Sequence, residues 1–428
     1  MAKKSKENKK TNKKKKKIRL LPTGGYGVVL LLAAVVAVAF LAMMTVVNAF
    51  PTDMTMTIIV VLFALLIIAW ALLACKRRWL RIIGIFVAVL TMGLYGLGTY
   101  YLANTYAMFN RISDSEESQR ATGELDLTEE AFNIYITGID QWESEKGYDL
   151  ERSDVNMIVT VSPKVRKILL TSIPRDSYVP LHRTGTMDKL THTGIYGVDE
   201  TLDTVEDWLG IDLNYYVKMN FTAVVDIINA IGGVDVYSPK EFVPVKRDWW
   251  TVKKGWNHMN GKQALAFARE RKAFEGEDSQ RVDNQQRVVD AILKKMMTSP
   301  ALLTNYPDIL AAASNNMSTN MTSSEMQSLV RMQLEDLGVW DIQSQKIEGE
   351  YDMDYVASLT QEQKFQVYRT DKKSVDACLD KISEVMNPTE EEIAAMEEEK
   401  KKANLMNFIN SVLRRGGDAE AEETEEGA

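Results

Sequence analysis

The 428 residues carry 51 Lys/Arg against 59 Asp/Glu, a net charge of −8, and the charge is split: residues 1–19 hold eleven Lys/Arg and one Glu, whereas residues 101–428 carry a net −21. Such a split excludes a soluble protein of uniform composition and a nucleic-acid binder whose body is the basic part. Two distant cysteines, Cys75 and Cys378, and three histidines without metal-ligand spacing exclude a disulfide scaffold, a zinc finger and zinc hydrolysis.

Residues 1–25 form a Lys-rich tail, with Lys13–Lys17 five in a row. Three uncharged stretches follow, Val28–Val47, Met54–Cys75 and Ile82–Leu102. Each has about the roughly 20 apolar residues a spanning helix needs, so residues 26–102 are predicted to cross a membrane three times. The loop Asn48–Asp53 has no Lys or Arg, while Lys76–Arg81 has four. Positive charge stays inside, which puts the N-terminus in the cytoplasm and everything after the third span outside a plasma membrane. Few cysteines in a large external region suit a Gram-positive bacterium.

Residues 103–131 are polar and read as a connector. From Phe132 the pattern alternates. Asn133–Thr137, Asn156–Val161 and Lys167–Ile173 read as strands rich in β-branched residues. Asp199–Leu209 reads as a helix closed by Gly210, Tyr215–Asn220 as a strand, and Thr222–Ile231 as a helix closed by Gly232-Gly233. Val234–Tyr237 is a further strand, Gly261–Phe267 a short helix and Asp278–Met297 a long one. This order predicts an α/β domain over 132–387. Residues 298–345 read as helical and Met-rich, and Phe365–Tyr368 as a closing strand. Residues 388–428, with twelve acidic and five basic side chains, read as a largely disordered tail with a short amphipathic helix at Ala403–Leu413.

No Gly-x-Ser-x-Gly elbow, Walker-type loop or dinucleotide fingerprint is present. What stands out is a set of acids and arginines at element edges. Asp140 follows the first strand. Arg152 and Asp154 precede the second, and Arg175 and Asp176 close the third. Arg269 and Arg271 lie two apart, so an extended segment would point them the same way. Arg281 and Gln285 lie four apart and share a helix face. Val288, Ile292 and Met296 form that helix's apolar stripe, predicted to seat it on the sheet. Arginine grips phosphate oxygens through paired donors, and Mg²⁺ prefers carboxylate with phosphate oxygens. Together they suit a pyrophosphate undergoing phosphoryl transfer. His192 reads as a structural or peripheral polar residue. Trp249-Trp250 with Trp256 reads as a sugar-stacking platform, as packing, or as a membrane-facing edge.

The outer region resembles the LytR-CpsA-Psr (LCP) family of cell-wall ligases from about Phe132 to Lys295, with a weaker continuation to Met386. Seven stretches carry the resemblance, in the family's order: Gly138-Ile139-Asp140, Arg152-Ser153-Asp154, Ser172 to Asp176, Asp188-Lys189-Leu190, Ile231 to Val236, Gly261 to Arg271, and Asp278 to Arg281 with Gln285-Gln286. The resemblance implies a mixed central sheet flanked by helices, with an apolar pocket for a polyisoprenoid. It implies transfer of a glycopolymer, with one phosphate, from a polyprenyl-pyrophosphate carrier to a peptidoglycan hydroxyl. By motif, Asp140 and Asp154 would hold Mg²⁺ (or Mn²⁺), and Arg152, Arg175, Arg269, Arg271, Arg281 and Gln285 would grip the pyrophosphate. Asp176 or Asp278 would orient these groups or help deprotonate the acceptor. Gln141-Trp142 stands where many members have an arginine after the first motif, and Asn284 stands before Gln285-Gln286 where many have Arg-Gln-Gln. Three spans and a Lys-rich tail look like the streptococcal capsule-associated branch. That implies capsular polysaccharide as the polymer, with membrane lipid and capsule-synthesis machinery as further partners. Two alternatives use the same residues differently: a polyprenyl-pyrophosphate phosphatase, and a non-catalytic sensor or assembly factor.

Overall fold

A computed structural model describes residues 24–113, 125–139, 153–245, 250–274, 277–298, 306–314, 316–335, 339–359, 361–402 and 406. The chain divides into two compact units between Ala103 and Asn104.

The first unit contains helices α1 (Gly25–Val47), α2 (Thr52–Ala74) and the start of α3 (Arg78–Ser113). All three are long and apolar enough to cross a membrane. Ala33, Ala69 and Ala88 are fully buried where they meet, and a Cβ at Gly98 would stand 2.6 Å from the Phe40 ring. Small residues at such contacts let helix backbones approach closely, which is how helices pack in lipid. The polar connector expected from residue 103 begins later, since α3 stays helical to Ser113. Within the second unit Met108, Phe109 and Ile112 are buried beside Ala313, and that burial sustains the extra turns.

The second unit is built on a six-stranded mixed sheet. Its strands are β1 (Phe132–Ile139), β2 (Ser153–Ser162), β3 (Lys167–Ile173), β6 (Tyr215–Asn220), β9 (Met317–Thr319) and β10 (Asp341–Lys346), in the order β10-β3-β2-β1-β6-β9. The pairs β1–β6 and β10–β3 are parallel; β1–β2, β2–β3 and β6–β9 are antiparallel. Side chains alternate between faces. Tyr135, Ile158 and Ile173 enter one core with Leu202, Val205 and Leu209 of α4 (Val198–Leu209) and Val375 and Cys378 of the helix Lys372–Met386. Phe132, Met157, Val159, Leu170 and Tyr215 enter the opposite core. Covering both faces explains why β2 is buried without a break from Asn156 to Ser162.

A third core lies among α5 (Phe221–Ala230), the ribbon of β7 (Val234–Ser238) and β8 (Gly255–Met259), α6 (Gly261–Ala268) and α7 (Glu277–Thr298). Here the stripe expectation is corrected. Val288, Ile292 and Met296 pack into this third core, and Val289, Leu293 and Met297 face the sheet. The helix lies between two cores and carries an apolar stripe for each.

Residues 298–345 are also not uniformly helical. Helices Tyr306–Ser314 and Ser323–Glu335 are present, but β9 and β10 are edge strands. The β10 sequence Asp-Ile-Gln-Ser-Gln-Lys holds one apolar residue and none that is buried, so no hydrophobic alternation marks it. Among the described residues two further small hairpins are present: β4 (Tyr178–Pro180) with β5 (Met187–Lys189), and β11 (Gly349–Asp354) with β12 (Phe365–Thr370).

The acidic tail is corrected in part, because residues 390–402 are helical. Glu390–Glu392 opens this helix, which matches the helix dipole. Glu398 pairs with Lys402 at 2.7 Å, and Glu392 pairs with Lys167 at the start of β3. Apart from Met406, the amphipathic helix expected at Ala403–Leu413 lies outside the described residues.

Candidate active site

Several elements end at one edge of the sheet. Because β1 and β6 run parallel and β2 runs back, the start of β2 lies beside the end of β1, with Ile139 opposite Ser153. Asp154 therefore sits at this edge. Phe221 enters directly after β6, where the Asn220 side chain caps α5 by accepting from the Ala223 amide at 2.8 Å. Arg175 follows β3 by two residues.

Helix α6 delivers the next group. Asn260 and Gln263 form a reciprocal capping box at its start, and Gly261 lies so close to α5 that a Cβ there would stand 2.1 Å from the Val225 carbonyl oxygen. Arg269 is the residue that ends α6 (φ −95°, ψ −2°). The segment from Arg269 to Phe274 is therefore a turn and not the extended strand expected, yet it still brings Arg269 and Arg271 to the same cavity. Glu270 between them is buried. Its Oε2 accepts from the Val245 amide at 2.9 Å and its Oε1 from the Ala273 amide at 3.0 Å. The carboxylate thus ties the turn to the β7–β8 loop.

Arg281 and Gln285 come from one face of α7, as the four-residue spacing predicted, and are 3% and 9% exposed. Asn284 beside them, fully buried, reaches the Phe267 carbonyl at 3.3 Å. It fills a structural role at the place where many relatives are expected to carry arginine. Gln286 turns the other way and donates to the carbonyls of Leu170 and Gln345 at 3.1 and 2.7 Å, fixing α7 to the sheet.

These parts line an open cavity of about 380 Å³. Phe221, Pro244, Val245, Leu265 and Ala266 give it an apolar wall; Asp154, Lys262, Glu270, Arg269, Arg271, Lys272, Arg281 and Gln285 give it a polar one. The Arg269 guanidinium lies 4.8 Å over the Phe221 ring, a contact that orients it without using up its donors. Five cations against two carboxylates, one of which is held by backbone amides, make the cavity selective for a multiply charged anion. The apolar wall suits a ligand that is anionic at one end only.

Arg175 and Asp176 lie beside this cavity and not among its lining. Arg175 pairs with Asp154. Asp176 stands 3.6 Å from the Arg175 Nε and 3.3 Å from Lys189 Nζ, so it holds Arg175 and does not face the ligand space. A buried anchor supports this segment. Asp188 is fully buried and accepts from His192 Nδ1, the Lys189 amide and the Ser358 amide, each at 2.7 Å. Burial opposes its charge, but the hydrogen bonds from His192, Lys189 and Ser358 outweigh it and hold the carboxyl below its ordinary pKa. His192 is thus structural, as expected.

Asp140 and Arg152 lie outside the described residues, as does the side chain of Asp278. Among the described residues no cluster of three or more His, Cys, Asp or Glu forms a metal site. Sequence reasoning missed Lys262, Lys272, Glu270, Phe221, Pro244 and Val245. Lys262 and Glu270 stand inside the motif that ends in Arg271; the apolar wall comes from distant segments, and no local signal marked it.

The LytR_cpsA_psr family model matches residues 99–383. The polyisoprenyl-teichoic acid–peptidoglycan teichoic acid transferase TagU of a Bacillus cereus strain is 35% identical over 254 residues, covering 59% of this chain and 81% of TagU. TagU of Bacillus subtilis (strain 168) is 33% identical over 275 residues, covering 63% and 82%. Among solved structures, B. subtilis TagV aligns with a TM-score of 0.50 at 29% identity, over 61% of this chain and all of that one. TagT bound to LIIa-WTA aligns with a TM-score of 0.50 at 25% identity, over 64% and 98%. With its mixed sheet, its motifs in family order and this match over two thirds of its length, the chain belongs to the LytR_cpsA_psr family.

Proposed function

We propose that this chain is a membrane-anchored glycopolymer ligase. It moves a polymer, with one phosphate, from a polyprenyl-pyrophosphate carrier to a peptidoglycan hydroxyl. The observation that carries this reading is the convergence of Arg269, Arg271, Arg281, Lys262 and Asp154 on one cavity with an apolar wall. The activity for which the relatives are named, teichoic acid transfer from a polyisoprenyl carrier to peptidoglycan, supports it.

In this mechanism the arginines bind the pyrophosphate and Phe221 with its apolar neighbours receives the first prenyl carbons. The acceptor oxygen forms a bond to the phosphorus that bears the polymer. The bond from that phosphorus to the bridging oxygen breaks, and polyprenyl phosphate leaves with the electron pair. Arg269, Arg271 and Arg281 stabilise the charge gathering on the phosphoryl oxygens. Asp176 positions Arg175, and in this reading Asp278 takes the acceptor's proton.

Mg²⁺ belongs to the proposal. Asp154 fits it, since this ion binds through one or two carboxylates and the substrate's phosphate oxygens; Asp140 would be the second carboxylate. When bound, the ion neutralises phosphate charge. Three apolar helices and a Lys-rich N-terminus support a cytoplasmic tail and an external domain at a Gram-positive plasma membrane. Within this reading the polymer is capsular polysaccharide, on the strength of the three-span organisation. Teichoic acid is the second reading, favoured by the relatives' names.

The test is to incubate the full-length protein in detergent with a polyprenyl-pyrophosphoryl saccharide, with and without Mg²⁺, and measure polyprenyl monophosphate. Metal-dependent release that Arg269→Ala/Arg271→Ala lacks is the expected result. Equal release by that variant would overturn the site assignment.

A further inference from the structure

We infer that the β7–β8 ribbon is a membrane-contacting lip of the domain, seated among the phospholipid headgroups of the bilayer that holds the chain. The ribbon pairs from Val234 opposite Met259 to Ser238 opposite Gly255. Phe242 and Val252 then exchange both backbone hydrogen bonds, at 3.0 and 2.8 Å, and carry it further. One face (Val234, Val236, Val252, Met259) is buried in the third core.

The other face presents Tyr237 directly opposite Trp256. Their rings meet edge to face at 5.6 Å, and Trp256 is 73% exposed. Beyond the Phe242–Val252 bridge, Val243 and Val245 are also exposed, as are Lys253 and Lys254 along the ribbon. An exposed indole beside a phenol, an aliphatic tip and lysines with long apolar stems is the composition of headgroup level. There rings sit half in water, and ammonium groups snorkel to anionic phosphates.

On this face Asp235 Oδ1 is paired with His258 Nδ1 at 2.8 Å, and the two exposed lysines favour an anionic surface. The ribbon is also continuous with the candidate site: Pro244 and Val245 line the cavity, and Glu270 holds the Val245 amide. A lipid-linked pyrophosphate leaving the leaflet would therefore pass from lip to arginines. That purpose rests on the ligase reading; the membrane contact itself does not.

The experiment uses the full chain in phosphatidylglycerol/phosphatidylcholine nanodiscs, with Cys75→Ser, Cys378→Ala and an environment-sensitive fluorophore at Lys254→Cys, which leaves the aromatic pair intact. Lipids with a nitroxide near the glycerol backbone should quench this reporter about twofold or more, the response of a group at the interface. The same fluorophore at exposed Tyr351→Cys on β11 should not respond. Adding Tyr237→Ala/Trp256→Ala should abolish the quenching while the melting temperature holds. Equal quenching at the two positions, or quenching that survives loss of both rings, overturns the lip. So does an emission shift caused by soluble glycan fragments and not by lipid. Because quenching needs no turnover, its absence alongside normal release of polyprenyl phosphate removes the lip and leaves the ligase reading standing.

Discussion

Replacing Asp188 by alanine should unfold the catalytic unit at a markedly lower temperature. The carboxylate has no exposure and accepts three hydrogen bonds of 2.7 Å. Its removal leaves the Lys189 and Ser358 amides without their acceptor in a buried site, while the His192 ring keeps only Ser358 Oγ, 2.8 Å from its Nδ1. An unsatisfied buried donor costs roughly 1–3 kcal/mol, and breaking a buried charged cluster costs about 3–5 kcal/mol in total. For a unit spanning Asn104–Ala428, ~2.1 cal/mol/K of unfolding entropy per residue makes each kcal/mol worth about 1.5 °C, so a fall of about 4–8 °C is expected by calorimetry on the detergent-solubilised chain.

The pH dependence has a definite sign. Asp188 has its pKa lowered in the folded state, so its stabilisation is complete above the ordinary carboxylate range and is lost as pH falls through the lowered value. The gap between wild type and Asp188→Ala should therefore narrow in acid. Catalysis should suffer as well, because Thr191 and Leu190 just beyond Asp188 donate to the carbonyls of Arg175 and Ser177 at 2.8 and 2.9 Å. A melting temperature within about 1 °C of wild type would refute the reasoning, because it would mean that the cluster contributes almost nothing.

Three further outcomes follow from the same structure. Arg281, 3% exposed on the cavity wall, should lose about 10²–10³-fold in kcat/KM when changed to Ala; lysine should rescue only part, because it lacks the planar paired donors. Steady-state release of polyprenyl phosphate measures both variants. Gly261→Ala puts a Cβ 2.1 Å from the Val225 carbonyl oxygen and should destabilise the unit by about 3 kcal/mol, read as a shift in denaturant midpoint. Glu392→Gln should change stability by less than about 1 kcal/mol at neutral pH, because its pair with Lys167 is surface-placed. With Lys167 and Thr389 holding its carboxyl down to about 2, what effect there is should persist in mild acid and vanish only as pH approaches that value.

The core of the fold was legible where burial leaves a pattern in the chain. Strands β1 to β3 carry β-branched runs, and α4 and α5 end at glycines or just before them. The polar edge strand β10 gave no such signal, because its place is set by backbone pairing with β3. The two stripes of α7 were read as one, since Val288 and Val289 serve different cores. The polar lining was legible in part: Arg281 and Gln285 by helical spacing, Arg269 and Arg271 by motif although their segment turns. Glu270 was not, because its task depends on the amide of Val245, 25 residues away. Neither was the apolar wall, which forms only when the ribbon folds against α6.

The most direct measurement of the central claim is a stoichiometry. Full-length protein in nanodiscs is given a polyprenyl-pyrophosphate-linked polysaccharide, labelled in the sugar and in the lipid, together with peptidoglycan strands. Polymer covalently attached to the glycan and polyprenyl phosphate released are then counted in the same reaction. The expected result is one attachment per phosphate released, abolished in Arg269→Ala/Arg271→Ala, with the capsular polymer used in preference to teichoic acid. Release without attachment would contradict transfer and make the chain a phosphatase. Binding with neither product would contradict phosphoryl chemistry at this site.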